Sequence, residues 1–188
     1  MIEKSDEELM LAFANNDETA FEQLYARHKD AIYRYFLRHL SNQSICQELT
    51  QDLWMKIINA KENYKVTAKF KTWLYTLAHN RLVDWYRRNN LEMKAFVANS
   101  QDNQDSNQVN GISNWNPEDE LQTKRLSKEL KLSISKLPFE QQEVFLLYQE
   151  ASLSIPQIAE MLDESMEKIK SRYRYAVKKL RSSLENLR

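Results

Sequence analysis

A chain of 188 residues is long enough for one large core or two small ones, and with one glycine and three prolines it has too few turn formers for a fold of many strands. At 42% hydrophobic and 29% charged residues it can fold in water; it has no apolar run of membrane-spanning length, and its acidic start, Glu3 to Glu8, is unlike a secretory leader, so a cytoplasmic protein without membrane contact is expected. The net charge of zero is segregated: residues 1–30 carry three bases and eight acids, 61–90 seven bases and two acids, 91–120 one base and six acids, and 168–181 seven bases and no acid.

The first apolar stripe, Phe21, Leu24, Tyr25, His28, Ile32, Tyr35, Phe36 and Leu40, recurs at steps of three and four and predicts a long amphipathic helix. Ile45, Leu49, Leu53 and Ile57 predict a second helix, and Phe70, Trp73, Leu74, Leu77, Ala78, Leu82 and Trp85 a third, all three able to share one core. Periodicity then gives way to the polar run Asn99 to Gln108 and the only glycine, Gly111. This is a linker, and from Leu91 to Pro117 its 27 residues would reach about 90 Å at full stretch, so the halves on either side are free to separate.

Beyond it, Leu121, Leu126, Leu130, Ile134 and Leu137 predict a helix ending at Pro138, and Val144, Leu147 and Tyr148 a short one after it. Ser154-Ile155-Pro156-Gln157 has the spacing of a capping box opening a helix. Asp163-Glu164-Ser165 offers a tight turn and a second cap before the last stripe, Ile169, Tyr173, Ala176, Val177, Leu180, Leu184 and Leu187. Two helices joined by about three residues form a candidate helix-turn-helix. The expected fold is all-α, two small helical domains joined by a flexible linker, with the helix-turn-helix in the second.

Two basic surfaces stand out. On the last helix Lys168, Lys170, Ser171, Arg172, Arg174, Lys178, Lys179 and Arg181 fall largely opposite the apolar stripe, a face suited to a major groove, where cations meet phosphates and arginine grips a guanine edge. In the first half Lys61, Lys65, Lys69, Lys71, Arg81, Arg87 and Arg88 interleave with Tyr64, Phe70, Trp73, Tyr75, Trp85 and Tyr86, a pattern suited to single-stranded nucleic acid, since bases stack on rings while cations follow the backbone. No enzyme is expected: there is no phosphate loop or nucleophile elbow, and His28, His39 and His79 lack the spacing of a zinc pair. The single cysteine, Cys46, leaves no disulfide or multi-thiolate zinc site, so neither metal nor cofactor is expected.

Several blocks resemble one family. Asp6-Glu7-Glu8-Leu9-Met10, Ala20-Phe21-Glu22-Gln23-Leu24-Tyr25, Glu48-Leu49-Thr50-Gln51-Asp52 and Phe70-Lys71-Thr72-Trp73-Leu74-Tyr75, with Asn80, Asp84, Arg87 and Arg88, resemble region two of the extracytoplasmic-function sigma factors. Asn116-Pro117-Glu118, Leu137-Pro138, Val144-Phe145-Leu146-Leu147, Ile158-Ala159, Ile169-Lys170-Ser171-Arg172 and Tyr175-Ala176 resemble region four.

The resemblance implies a sigma factor that binds core RNA polymerase and directs promoter-specific initiation. It divides the chain into a region-two domain at 1–92, an acidic linker at 93–117 and a region-four domain at 118–188. Glu48, Leu49, Gln51 and Asp52 would dock on the clamp helices of the largest polymerase subunit, with the flap region as a further contact. Lys65, Lys69, Trp73, Asn80, Arg81, Arg87 and Arg88 would melt the minus-ten element and hold its non-template strand, with one base flipped into a pocket. Glu167, Lys168, Lys170, Ser171, Arg174 and Tyr175 would read the minus-thirty-five duplex. An anti-sigma factor is a further partner common in the family. The chain departs from the pattern where Glu167-Lys168 replaces the usual Gly-Thr, so the duplex sequence it reads cannot be copied from relatives, and where Cys46-Gln47-Glu48 replaces the usual Ala-Glu-Asp, a change docking should survive because Glu48 keeps the carboxylate. Other readings are a stand-alone helix-turn-helix regulator, which leaves the first half without a role, and a polymerase-binding adaptor that does not read DNA.

Overall fold

The computed structural model describes residues 4–89 and 117–185. The expected linker, Gly111 included, lies outside the described residues except for Pro117. Regular structure among the described residues is entirely helical.

The amino-terminal half is built from α1 (Asp6–Ala14), α2 (Glu18–Leu40), α3 (Gln43–Ala60), a single 3-10 turn (Lys61–Asn63) and α4 (Phe70–Arg88). The first of these was not expected from periodicity, and a local device starts it: Ser5 Oγ accepts the Glu8 N–H at 3.2 Å while Ser5 N–H donates to the Glu8 carboxylate at 2.7 Å. Side-chain oxygens of Asp17 and Asn42 cap α2 and α3 in the same way. The start of α4 has no local cap, because Lys69 occupies the cap position. Glu7 of α1 supplies the missing acceptor, taking the Phe70 N–H at 2.7 Å and placing a carboxylate at the positive end of the helix dipole.

The carboxyl-terminal half holds α5 (Pro117–Ser135), α6 (Phe139–Gln149), α7 (Ile155–Leu162) and α8 (Met166–Glu185). The predicted capping box opens α7, with Gln157 N–H on Ser154 Oγ at 3.5 Å and Ser154 N–H on Gln157 Oε1 at 2.8 Å. Ser165 Oγ accepts the Lys168 N–H at 3.3 Å at the start of α8. With glycine so scarce, the left-handed backbone positions fall to other residues: Asn16, Ser41, Ser152 and Asp163 have φ between 52° and 67°. Asp163 turns the chain between α7 and α8, and aspartate is among the few residues that tolerate this region.

The halves do not stand apart. One continuous apolar core runs from Leu9 of α1 through Phe36, Leu53 and Leu74 to Phe139, Val144, Ile158 and Ile169, and a smaller one joins Ile134, Leu137, Leu146, Ala176 and Leu180. Separation of the halves, expected from the linker alone, is therefore not the state this structure shows. Helix α6 packs on α2, and α7 on α4.

Candidate nucleic-acid interface

At about 100° per residue, Lys69 at the cap of α4 and Trp73, Asn80 and Arg87 within it fall within about 40° of one line, on the side opposite Leu74, Ala78 and Leu82, which are buried. Lys69, Asn80, Arg87 and Arg88 are exposed, as is Lys65 in the preceding loop, and Trp73 is half-buried. The Trp73 ring is fixed by Tyr64, at 5.1 Å between centroids, and by the buried Phe70 at 5.8 Å. Part of Trp73 thus stays accessible in an aromatic cluster bordered by lysines, an arrangement that accepts a stacked base.

Arg81 does not belong to this stripe. Its guanidinium is half-buried and bonded to Asp52 of α3, so it ties two helices together. Of the six aromatics expected to interleave with cations, Phe70, Tyr75 and Tyr86 are core residues, and Tyr64, Trp73 and Trp85 reach the surface. On α3, Glu48 and Gln51 are exposed and Asp52 is half-buried against Arg81. Leu49 is wholly buried, so its side chain supports that face from beneath and cannot form part of it.

On α8, Glu167, Lys170, Ser171, Arg174 and Lys178 fall within about 60° of one line, opposite the buried Ile169, Ala176 and Leu180. All are exposed except Ser171 and, with Ser171 half-buried at its foot, the face is flanked by Lys168 and the exposed Tyr175. A shallow concavity beside it is lined by Tyr148, Ile155, Glu167, Lys170, Tyr173 and Arg174, and Gln149 steadies Tyr173 by donating to its hydroxyl at 2.6 Å. Lys168 Nζ bonds Glu164 at 2.7 Å. That bond, with Arg172 nearby, holds the Glu164 carboxyl below the usual range.

Arg172, expected on the exposed basic face, is instead half-buried, with Nη2 3.1 Å from Glu140 and 3.2 Å from Glu164. It joins α6, the interhelical turn and α8, and so sets the angle at which α8 is presented.

Two family profiles match this chain in the order of these two surfaces: sigma-70 region 2 over residues 24–92 and sigma-70 region 4 over residues 133–182. Among curated relatives, RNA polymerase sigma factor YlaC of Bacillus subtilis is 27% identical over 90% of this chain and 94% of its own length. ECF RNA polymerase sigma factor SigW of the same organism is 27% identical over 91% and 92%. The chain is an extracytoplasmic-function sigma factor of the sigma-70 family. It directs RNA polymerase in transcription initiation.

The fold agrees. The sigma factor resembles CnrH, solved in complex with the cytosolic domain of CnrY, with a TM-score of 0.67 over 97% of this chain and 99% of that one at 21% identity. It also resembles RpoE of Bartonella quintana, solved with the anti-sigma factor NepR, with a TM-score of 0.64 over 88% and 96% at 19% identity.

The buried charge that periodicity overlooked in this sigma factor is Glu143. It sits on the apolar face of α6, between Phe139 and Leu147, and its side chain is 2% exposed. Tyr35 donates its hydroxyl to Oε1 at 2.8 Å, His79 Nδ1 meets the same oxygen at 2.9 Å, and His39 Nε2 lies 2.8 Å from Oε2 at an angle unlike a hydrogen bond. Burial disfavours the Glu143 carboxylate, but the close approach of His39 and the bond from His79 outweigh it and hold the group below the usual carboxylate range. A carboxylate at i+4 from one core residue and four before another was the available signal.

Proposed function

We propose that this sigma factor binds through residues 1–92 to the clamp helices of the largest polymerase subunit and to the minus-ten element, and through residues 118–188 to the flap region and the minus-thirty-five element. The observation that carries this reading is the pairing, on one chain, of two exposed basic faces of different character: a stripe on α4 bordered by the Tyr64, Phe70 and Trp73 cluster, and on α8 a row of exposed cations that follows the tight turn of a helix-turn-helix. The first fits unstacked bases and the second a duplex groove.

Glu48 and Gln51, with Asp52 at the edge, form the polymerase contact; Lys65, Lys69, Trp73, Asn80, Arg87 and Arg88 hold the non-template strand. Arg81 acts by fixing α4 against α3. Glu167, Lys170, Ser171, Arg174 and Tyr175 read or anchor the duplex, with Lys168 beside them. Glu167 places an acceptor where the family has glycine, which favours a cytosine amino group at the base it faces.

The protein works by binding, without catalysis and without a cofactor, and tethering both faces to one polymerase raises the effective concentration of the second contact once the first is made. It acts in the cytoplasm; no described helix is long and apolar enough to cross a membrane. The anti-sigma factor named as the partner of RpoE supports an anti-sigma factor as a further partner.

Transcription of a genomic fragment library by core polymerase, with and without the protein, tests the reading. Starts that depend on the protein and share two upstream elements are the expected result. Binding to polymerase with no new starts would replace it with the adaptor reading.

A further inference from the structure

The contacts between the halves are polar and specific as well as apolar. Besides the bonds of Glu143, Gln142 Nε2 donates to the Arg38 carbonyl at 2.8 Å, Arg38 Nε pairs with Glu150 at 2.9 Å, and Gln157 Nε2 donates to Thr72 Oγ1 at 3.2 Å. Phe139 packs on the rings of His39 and Tyr86 at 5.3 and 5.6 Å. The Thr72 contact lies one residue from Trp73, and Gln157 belongs to the helix that packs on α8. The two nucleic-acid faces are thus separated by a few helix diameters, on the order of 20–30 Å. Elements at minus ten and minus thirty-five are roughly 25 base pairs apart, about 85 Å along B-DNA. This arrangement cannot engage both.

We propose that Glu143 is the latch of this closed state, received by Tyr35, His39 and His79, and that the latch loosens as His79 loses its proton. The proposal rests on the two-element reading for its consequence, but the latch itself does not.

The groups that face Glu143 are Tyr35 and His39 from α2 and His79 and Tyr86 from α4; Tyr75 lies against Tyr35, with Cys46 of α3 behind Tyr86, and the Arg38 and Glu150 pair flanks the site. Burial pushes the Tyr75 phenol and the Cys46 thiol up to about 12 and raises Tyr35 and Tyr86 as well, so none of them ionises near neutral pH. Burial lowers the affinity of His79 for its proton, and the hydrogen bond and charge of Glu143 more than reverse this, leaving it above the usual 6.5. Its contribution to closure is complete below that value and lost as pH rises through the raised one. Glu143 contributes fully above the usual 4.5, and that contribution is lost only as pH falls through its lowered value. Closure is therefore strongest in mildly acidic solution and weakens toward alkaline pH.

The test is energy transfer between labels on cysteines introduced at the exposed Lys56 and Lys136, one in each half, in the full chain without polymerase or DNA. The buried Cys46 does not compete for label. Transfer is expected to be high at about pH 6 and to fall by about half or more on titration to about pH 8.5. In Glu143→Gln it is expected to be low at both values. Transfer in the wild type that ignores pH, or equal transfer in Glu143→Gln and wild type at the acidic end, would overturn the latch. Should Glu143→Gln lose its helical circular dichroism, the wild-type titration decides alone. Because the readout contains no promoter, its failure is separate from a failure to find new transcript starts.

Discussion

The basic faces of α4 and α8 are held in different ways. Helix α4 is embedded: seven of its residues are buried, its first N–H is capped from α1 by Glu7, and its stripe borders a fixed aromatic cluster. Helix α8 buries Ile169, Ala176 and Leu180 and otherwise stands on the surface, oriented by the Arg172 pairs. Neither Lys170 nor Arg174 has an ion-pair partner among the described residues, whereas Arg81 on α4 is committed to Asp52. A surface that must stack bases needs rigid rings rooted in a core; one that meets a duplex needs free cations on a helix set at the right angle.

The contrast can be broken at its foundation first. Leu74→Ala, beneath the α4 stripe and fully buried, is expected to cost about 2–5 kcal/mol by urea unfolding; a cost near zero would show that α4 is not rooted as described. Trp73→Ala should slow promoter opening by about ten- to a hundred-fold, the loss of one stacked base at about 1–3 kcal/mol, and leave duplex binding nearly unchanged. Permanganate reactivity of the opened strand reads this, and unaltered reactivity would remove Trp73 from the strand-holding set. Arg174→Glu should weaken binding to the upstream duplex element by about ten-fold or more and reduce its salt dependence, with polymerase binding intact in a pull-down.

Two smaller effects sharpen the comparison. Arg172→Ala, two residues away from Arg174 and on the other side of the helix, should lower Tm by about 5 °C while leaving the preferred promoter sequence unaltered; a changed sequence preference would make Arg172 a reading residue. Asp163→Gly, which relieves a left-handed backbone at φ 52°, should stabilise the chain by a few tenths of a kcal/mol up to about 1. Unchanged or lower Tm would mean that the aspartate side chain compensates for its backbone.

Much of this was legible along the chain. The capping box at Ser154 and Gln157, the turn at Asp163, the end of α5 before Pro138 and the apolar stripes of α2, α3 and α4 all depend on residues within four positions of one another, and each is found where the pattern places it. Helix α1 was missed because a nine-residue helix offers barely two apolar turns, and its start rests on a Ser5 and Glu8 pair of which only Glu8 stood in a family block. Leu49 was assigned to a docking surface because the family resemblance carries over the block from Glu48 to Asp52, although its own step of four with Ile45 and with Leu53 marks it as core.

What the sequence determined alone was therefore every helix but α1, where the two basic faces lie and the family, because periodicity, capping and charge are local quantities. The tertiary structure decided which charges are spent inside the protein: Arg81 on Asp52, Arg172 on two glutamates, and Glu143 on residues more than sixty positions away. An ion pair forms between whichever side chains the chain path brings within about 4 Å, and along the sequence a buried glutamate reads the same as a solvated one.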